Sequence, residues 1–324
     1  MTEKWKGDAC YYENLKHDGN ESIFLEKSSV SVLIASYNAS QFLDVTLQGV
    51  AWQTERASEV IIVDDCSTDE TERVVNSWLD RLPIKYIRNE VNLGVGASRN
   101  VGLRHVSSEL VAVLDADDLW LPMHLETLMR CLSNARTIVS PKAVVWADGR
   151  GMSLDREYAL DVPKGRDQFK ELCKENFVFA GSLFPLSMIR DIGDFPHVRI
   201  CEDHLLWLRA VASGYVIVKP ELSTVLYRRR MGSLSEIKSS FFQALQNTLL
   251  ENLGTFNSGQ QKLLKRHIRD LRMRERLSSH DERSGSFFQS VFNNLIPVIA
   301  RGSFRLKLSA IARMLFIVRT SFHQ

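Results

Sequence analysis

Short apolar runs alternate with segments of helical periodicity through the first third of the chain. The runs are VSVLIASY (30–37), EVIIVDD (59–65), IKYIRN (84–89) and ELVAVLD (109–115). They are rich in β-branched residues and too short for helices, which is typical of strands buried on both faces. Helical spacing lies between them, as from about Val95 to Val106. This order predicts βαβ units, and therefore an α/β fold with a mainly parallel sheet flanked by helices.

The second half of the chain has a mixed pattern and ends in a helical region. Residues 137–146 are expected to form one further strand, and YVIVKP and STVLYRRR two closing strands. Helical periodicity then runs from residue 236 onward. The sequence therefore predicts three parts: a polar N-terminal extension (1–28), an α/β domain (29–235) and a basic amphipathic helical tail (236–324).

Polar side chains stand at the end of three of the predicted strands. They form the clusters Ser36-Tyr37-Asn38, Asp64-Asp65 and Asp115–Asp118. Right-handed crossovers place the carboxyl ends of parallel strands at one edge of the sheet, where ligands bind in open α/β folds. We therefore expect the three clusters to converge on one crevice.

The acidic run LDADD (114–118) is the strongest candidate for chemistry. Three carboxylates within four positions repel one another and raise one another's pKa unless a cation is present. Carboxylate oxygens suit Mg²⁺ or Mn²⁺, which take one or two of them together with substrate phosphates. A solvated turn in which Asp117 and Asp118 cap the next helix is the alternative. The second acidic strand end, VDDCSTDET (63–71), favours the metal-diphosphate interpretation.

Two further patterns add candidate residues. NLGVGASRNVGL (92–103) resembles a dinucleotide fingerprint, but Arg99 occupies the third glycine position and the run follows a third strand. A glycine-rich helix start carrying Arg99 can instead approach a diphosphate, or it can be a packing loop. CEDHLLWLRA (201–210) places Glu202 and Asp203 at a helix start, where the helix dipole favours an ionised general base. Plain helix capping is the alternative there.

Charge is divided unevenly along the chain. Residues 261–324 contain 13 Lys/Arg and 4 Asp/Glu, a net charge of +9, whereas residues 1–260 carry 28 and 35, a net charge of −7. Residues 286–320 alternate apolar and basic groups, so the tail is a candidate contact for an anionic membrane surface. Packing on the α/β domain or on a second subunit is the alternative. The first residues lack the apolar core of a secretory signal, and no run of 18 apolar residues occurs. A cytoplasmic location is expected, with the tail as a peripheral contact to the cytoplasmic face of a membrane.

The motifs, taken in order, resemble those of family 2 glycosyltransferases with the GT-A fold. They are VSVLIASYN, VIIVDDCSTDET, NLGVGASRNVGL, LVAVLDADDLWLP, GDF, CEDHLLWLR and YRRRMGSLS, and they extend over residues 29–236. The resemblance implies a Rossmann-like nucleotide-binding half, an acceptor half and a C-terminal helical tail. It also implies an inverting transferase that uses a nucleotide-diphosphate sugar and a divalent cation, Mn²⁺ or Mg²⁺. The acceptor would be a hydroxyl of a glycan or lipid-linked glycan in bacterial-type surface polysaccharide or lipopolysaccharide synthesis, with no role for nucleic acid.

The same resemblance assigns residues to the donor. Ala35 and Tyr37 would line the base pocket, and Asp65 would bind the base or the ribose. Arg99 would lie near the diphosphate, and Asp115 would contact the ribose. UDP is the nucleotide that the resemblance favours.

The resemblance also assigns the chemical step. Asp117 would hold the metal, and Asp203 would accept the proton of the acceptor hydroxyl. Gly181–Phe184 and Gly193–Phe195 would form part of the acceptor side. Many relatives have a histidine where Arg230 stands, so a histidine ligand to the metal is missing. A QxxRW motif and spanning helices are absent, which argues against a processive polysaccharide synthase.

Two other functions are the alternatives to a glycosyltransferase. A sugar-phosphate nucleotidyltransferase is expected to have a Gly/Arg/Lys-rich loop directly after the first strand, and ASYNASQF lacks one. A non-catalytic sugar-nucleotide-binding scaffold should have lost Asp117 or Asp203, and both are present.

Overall fold

The chain folds into two compact units, one ending at residue 230 and the other beginning at residue 231. The computed structural model describes residues 29–147, 151–154, 162, 167–198, 201–229 and 238–281. The predicted N-terminal extension, the tail beyond residue 281 and Arg230 lie outside the described residues.

The first four strands form the parallel part of a large sheet. They are β1 (Val30–Ser36), β2 (Glu59–Asp64), β3 (Ile84–Arg88) and β4 (Leu110–Asp115). β1 lies between β2 and β4, and β3 pairs with β2 on the far side, all in parallel. β1, β2 and β4 are buried along almost their whole length, as continuous apolar runs covered on both faces require. The prediction of a mainly parallel α/β sheet is confirmed.

Three helices connect these strands: α1 (Ser40–Ala51), α2 (Thr71–Asn76) and α3 (Val95–Leu103). α1 buries the face that carries Phe42, Leu43, Leu47 and Val50. α3 lies so close to the sheet that a Cβ at Gly102 would overlap Leu33 Cδ1 of β1. A small residue is therefore required where α3 crosses β1.

The segment 137–146 is not one strand, as the sequence predicted, but two. β6 (Thr137–Val139) belongs to the large sheet, and β7 (Lys142–Ala147) belongs to a second sheet. Pro141 stands between them and has no N–H to donate, so the ladder ends there. The preceding residue, Ser140, donates its N–H to Val218 O and closes the large sheet at this point.

The remaining elements of the first unit complete the two sheets. They are β5 (Leu119–Trp120), α4 (His124–Arg130), β8 (Gly151–Leu154), α5 (Gln168–Leu172), β9 (Leu183–Pro185), α6 (Leu186–Ile192), α7 (Glu202–Ala212), β10 (Val216–Val218) and β11 (Ser223–Arg229). The large sheet has the order β10-β6-β9-β4-β1-β2-β3, in which only β9 runs antiparallel to its neighbours. The second sheet has the order β5-β11-β7-β8. Both closing strands predicted from the sequence are present.

The described part of the second unit consists of two helices. They are α8 (Lys238–Glu251) and α9 (Ser258–Asp281), separated by a short 3₁₀ turn at Leu253–Thr255. Leu245 and Leu249 of α8 and Leu264, Ile268 and Leu271 of α9 are buried. None of the helices in the described ranges has both the length and the apolar character of a membrane span.

Gly102→Ala should destabilise the first unit. The added methyl overlaps Leu33 and lies 3.1 Å from Val63 Cγ2, and both neighbours are fully buried, so overpacking should cost about 1–3 kcal/mol. This exceeds the gain of about 1 kcal/mol in helix propensity. Arg104→Ala, at the exposed end of the same helix, should change stability by less than about 0.5 kcal/mol. Urea unfolding followed by tryptophan fluorescence measures both, because all six tryptophans precede residue 230. If the two variants have the same free energy of unfolding, Gly102 does not pack closely against Leu33.

Candidate active site

The carboxyl ends of β1, β2 and β4 bring the predicted polar clusters together. Ala35 of β1 stands in register with Val63 of β2 and with Asp115 of β4. Tyr37 is the first residue after β1 and is half exposed, so part of its aromatic ring is open to solvent. The edge of the sheet therefore carries an open surface with a carboxylate beside it.

The acidic turn after β4 is held from two sides. From α1, the hydroxyl of Thr46 lies 3.0 Å from Ala116 O and 2.8 Å from Asp118 O. From β11, Arg228 donates its N–H to Asp118 Oδ1 at 2.9 Å and its Nε–H to the carbonyl oxygen of Asp117 at 3.0 Å. These bonds fix the backbone of the turn, while the side chains of Asp115 and Asp117 remain partly exposed.

Asp118 is buried at the bottom of this turn with one unsatisfied oxygen. Its Oδ2 has no hydrogen-bond partner among the described residues. Burial, and then the charges of Asp115 and Asp117, raise the pKa of Asp118 well above the usual range. A proton or a cation would satisfy this oxygen.

The acidic turn fits a divalent cation, although not as a complete cage. Asp117 and Asp118 supply hard oxygen ligands, and one of these oxygens lacks a donor. No group of three His, Cys, Asp or Glu side chains in the described ranges could hold a metal ion. The remaining ligands would therefore have to come from substrate phosphates and water.

Arg99 of α3 is buried and joins two carboxylates from distant parts of the chain. Its Nη2 donates to Asp115 Oδ1 and its Nη1 to Glu202 Oε1, each at 2.7 Å. The guanidinium carbon lies 5.3 Å from the ring centroid of Phe195. Burial opposes the charge, but Asp115 and Glu202 outweigh it and raise the pKa of Arg99. The predicted diphosphate contact, Arg99, is thus paired with carboxylates in this structure.

The start of α7 carries two acids in different environments. Burial raises the pKa of Glu202 to about 7 although Arg99 acts against it, and burial likewise raises the pKa of Asp203. Glu202 is bonded to Arg99, whereas Asp203 accepts a long bond of 3.4 Å from Asn176 Nδ2 and a bond from the backbone N–H of His204. Of the two acids, Asp203 is therefore the one whose carboxylate is not bonded to Arg99.

The helix that carries these acids is firmly held. Leu205, Leu206, Trp207 and Leu208 of α7 are fully buried. On the other side, a Cβ at Gly96 of α3 would lie 3.2 Å from Glu202 Cγ. The absence of a side chain at Gly96 therefore lets α3 approach Glu202 closely enough for Arg99 to reach it.

Asp65 holds the loop that begins α3. Its Oδ1 accepts from Asn89 Nδ2 and from Leu93 N, and its Oδ2 accepts from Gly94 N at 2.7 Å. Gly94 has a φ of +88°, a conformation that favours glycine. The predicted base-binding residue thus has most of its acceptor capacity occupied by backbone and amide donors.

Asp64 serves a separate network behind Asp65. It is fully buried and accepts from Tyr86 Oη, from Arg88 Nη1 and from the N–H of Ser67. Burial and the bond to Asp64 raise the pKa of the Tyr86 phenol. Asp64 and Asp65 therefore face different partners, as neighbouring residues at a strand end must.

The loops at this edge adopt strained conformations. Asn38, Cys66 and Cys201 have positive φ, and they are the only described residues other than glycine that do. Asn38 follows β1, Cys66 follows β2 and Cys201 precedes α7. Such backbone strain concentrates where surrounding contacts fix a functional site.

Sequence reasoning missed two residues of this site. Arg228 stood within the quoted motif YRRRMGSLS, so the signal was present but no role was assigned. Thr46 had no signal, because a threonine inside an amphipathic helix is common.

The chain is similar in sequence to known glycosyltransferases. Residues 31–187 match the sequence model described as Glycosyl transferase family 2. The amylovoran biosynthesis glycosyltransferase AmsE of Erwinia amylovora is 29% identical over 209 residues, which cover 63% of this chain and 76% of AmsE.

Two solved structures share the fold at lower identity. Residues 1–349 of TarS from S. aureus, in complex with UDP-GlcNAc, align with a TM-score of 0.61 and 21% identity over 90% of each chain. The mannosyltransferase PcManGT from Pyrobaculum calidifontis, in complex with GDP-Man and Mn²⁺, aligns with a TM-score of 0.62 and 18% identity over 90% of this chain and 81% of that chain. Residues 31–187, nearly half of the chain, therefore match glycosyltransferase family 2, and the fold is that of the GT-A glycosyltransferases.

Proposed function

We propose that this enzyme transfers one sugar, with inversion, from a UDP-sugar to a hydroxyl of a glycan or lipid-linked glycan during surface polysaccharide synthesis. The proposal rests mainly on the two ion pairs of Arg99. One is with Asp115, at the strand end where the donor would bind, and the other is with Glu202, which directly precedes Asp203 at the start of α7. The biosynthetic name of AmsE supports the pathway, and the UDP-GlcNAc bound by TarS supports the nucleotide.

The donor would bind at the edge of the large sheet. Tyr37 offers its exposed ring to the base, beside Ala35, and Asp115 offers its unbonded oxygen to the ribose. Asp65 would act on the base pocket through the loop that it holds, or through its remaining acceptor capacity at Oδ2. Arg99 would lie near the diphosphate, and its two carboxylate bonds use only two of the five N–H donors of its guanidinium.

A divalent cation, when bound, supplies positive charge to the departing diphosphate. Asp117 would hold it, and Asp118 would supply a second carboxylate oxygen, Oδ2, which has no hydrogen-bond partner among the described residues. Mn²⁺ accompanies the donor in the PcManGT complex, which supports a cation here.

Asp203 would remove the proton of the acceptor hydroxyl as its oxygen attacks the anomeric carbon. The new bond joins that oxygen to the anomeric carbon, while the bond from this carbon to the diphosphate oxygen breaks. Nucleoside diphosphate leaves with the bonding electrons, and the proton stays on Asp203. Glu202 is the close competitor, but its carboxylate is committed to Arg99.

Asp203→Asn should lower kcat by about 10²–10⁴-fold, the usual contribution of general-base catalysis. Donor affinity should barely change, because the base meets the acceptor and not the nucleotide. Since burial raises the pKa of Asp203 and only the ionised form accepts a proton, wild-type kcat should fall as the pH drops through that raised pKa. Steady-state kinetics with a soluble acceptor measure both effects. If kcat stays near the wild-type value in Asp203→Asn but is lost in Glu202→Gln, then Glu202 is the general base.

Asp117→Ala should uncouple nucleotide binding from the metal. The wild-type protein should bind UDP more tightly with Mn²⁺ than with EDTA, because two carboxylates alone are too few ligands and the phosphates complete the shell. In Asp117→Ala this difference should disappear and activity should be nearly abolished, with an unchanged Tm. Calorimetry with UDP measures it, and Asp80→Ala, at an exposed site on the same unit, serves as control. If the affinity for UDP is changed neither by EDTA nor by the substitution, Asp117 does not hold a metal.

Asp65→Ala should weaken UDP binding by about 5- to 150-fold, corresponding to roughly 1–3 kcal/mol for a lost hydrogen bond to the base or the ribose. It should also lower the Tm, because the N–H groups of Leu93 and Gly94 lose their acceptor. Asp64→Ala should lower the Tm without this loss of affinity, because its partners Tyr86 and Arg88 lie behind the site. Calorimetry and thermal unfolding on both variants separate the two roles. If Asp64→Ala loses affinity at an unchanged Tm, the order of the two aspartates is reversed.

A further inference from the structure

One face of α9 presents only cations to solvent. Its exposed residues between 262 and 272 are Lys262, Lys265, Arg266, Arg269 and Arg272. At 100° per residue they fall within an arc of about 120°, and from first to last they extend about 15 Å along the helix. We call these five residues the α9 basic face.

The opposite face of α9 is already used for packing. Leu264, His267, Ile268 and Leu271 are buried, within an arc of about 100° on the other side of the helix. Since α8 and α9 pack along each other, the apolar surface of this part of α9 is already buried. The basic face therefore has no apolar side available for insertion into lipid.

The five cations have no partner within the described part of the chain. No ion pair or side-chain hydrogen bond joins them to any residue that the structure describes. Asp270 is the only acid among residues 258–273, and it is half-buried at the margin of the basic face. Five like charges within one arc repel one another, so an external polyanion would stabilise the arrangement.

We propose that the α9 basic face docks this protein onto an anionic lipid surface by charge alone. A helix is convex and cannot enclose a small anion, whereas a fluid bilayer lets anionic headgroups gather beneath a straight row of cations. The contact is independent of the catalytic chemistry in the first unit. Because each basic residue near an anionic surface contributes about fivefold to membrane partitioning, removing three should weaken it about 100-fold.

The test compares two triple variants of the full-length protein with equal loss of charge. Lys265→Gln, Arg266→Gln and Arg269→Gln remove the middle of the basic face and keep good helix propensity. Arg56→Gln, Lys85→Gln and Arg104→Gln remove three exposed cations from the first unit as a matched control. Flotation uses phosphatidylcholine vesicles with and without about 30% phosphatidylglycerol, at low salt and at about 0.5 M NaCl.

The wild type and the control should float only with anionic vesicles at low salt, and the α9 variant should stay unbound. Three outcomes would overturn the proposal: no flotation of the wild type, equal flotation of both variants, or binding that persists at high salt. Binding to heparin without binding to vesicles would assign the face to another polyanion and also overturn it. Transfer to a soluble acceptor should be equal in all three proteins, so failure of the transferase proposal would be seen separately.

Discussion

A buried guanidinium that must be paired is the constraint around which this site is built. An unpaired charge away from water is costly, and removing one partner of a buried pair leaves the other uncompensated. Arg99 meets this requirement with one carboxylate from β4 and one from the start of α7. Because these elements are far apart in sequence, the ion triad holds the nucleotide-binding half of the sheet and the helix of the proposed base in one fixed geometry.

The glycines of the preceding loop follow from the same constraint. Gly94 adopts a positive φ at the start of α3, and Gly96 leaves room for Glu202 to approach. Asp65 accepts the N–H groups of this loop and so sets where α3 begins. A substitution in this loop would therefore displace Arg99 and, through it, the start of α7, which carries the proposed base.

Charge at the site is unbalanced in a way that suits the reaction. Five carboxyl groups, from Asp115, Asp117, Asp118, Glu202 and Asp203, lie near two guanidinium groups, those of Arg99 and Arg228. Burial and mutual repulsion raise the pKa of Asp118, Glu202 and Asp203. Such an excess of acid is stable when protons, a cation or both are shared among the carboxyls.

Local pattern was sufficient for the strands and for the convergence of their polar ends, because continuous apolar runs and topological rules determine both. Local pattern did not predict contacts between residues that are far apart in the sequence. Residues 137–146 read as one strand, although Pro141 directs the two halves into different sheets. Asp65 reads as a free acceptor, although a loop some 28 positions later occupies it. Arg99 reads as a diphosphate ligand, and its pairing with Glu202 over 103 positions is invisible to spacing.

The hydroxyl of Thr46 has a single proton but lies within reach of three carbonyl oxygens, those of Phe42, Ala116 and Asp118. It can donate to only one of them at a time. Rotation about the C–O bond moves the proton between acceptors without breaking any packing contact. The buried hydroxyl therefore has an acceptor in each of three orientations, so the donor beneath the acidic turn stays satisfied whichever carbonyl it faces.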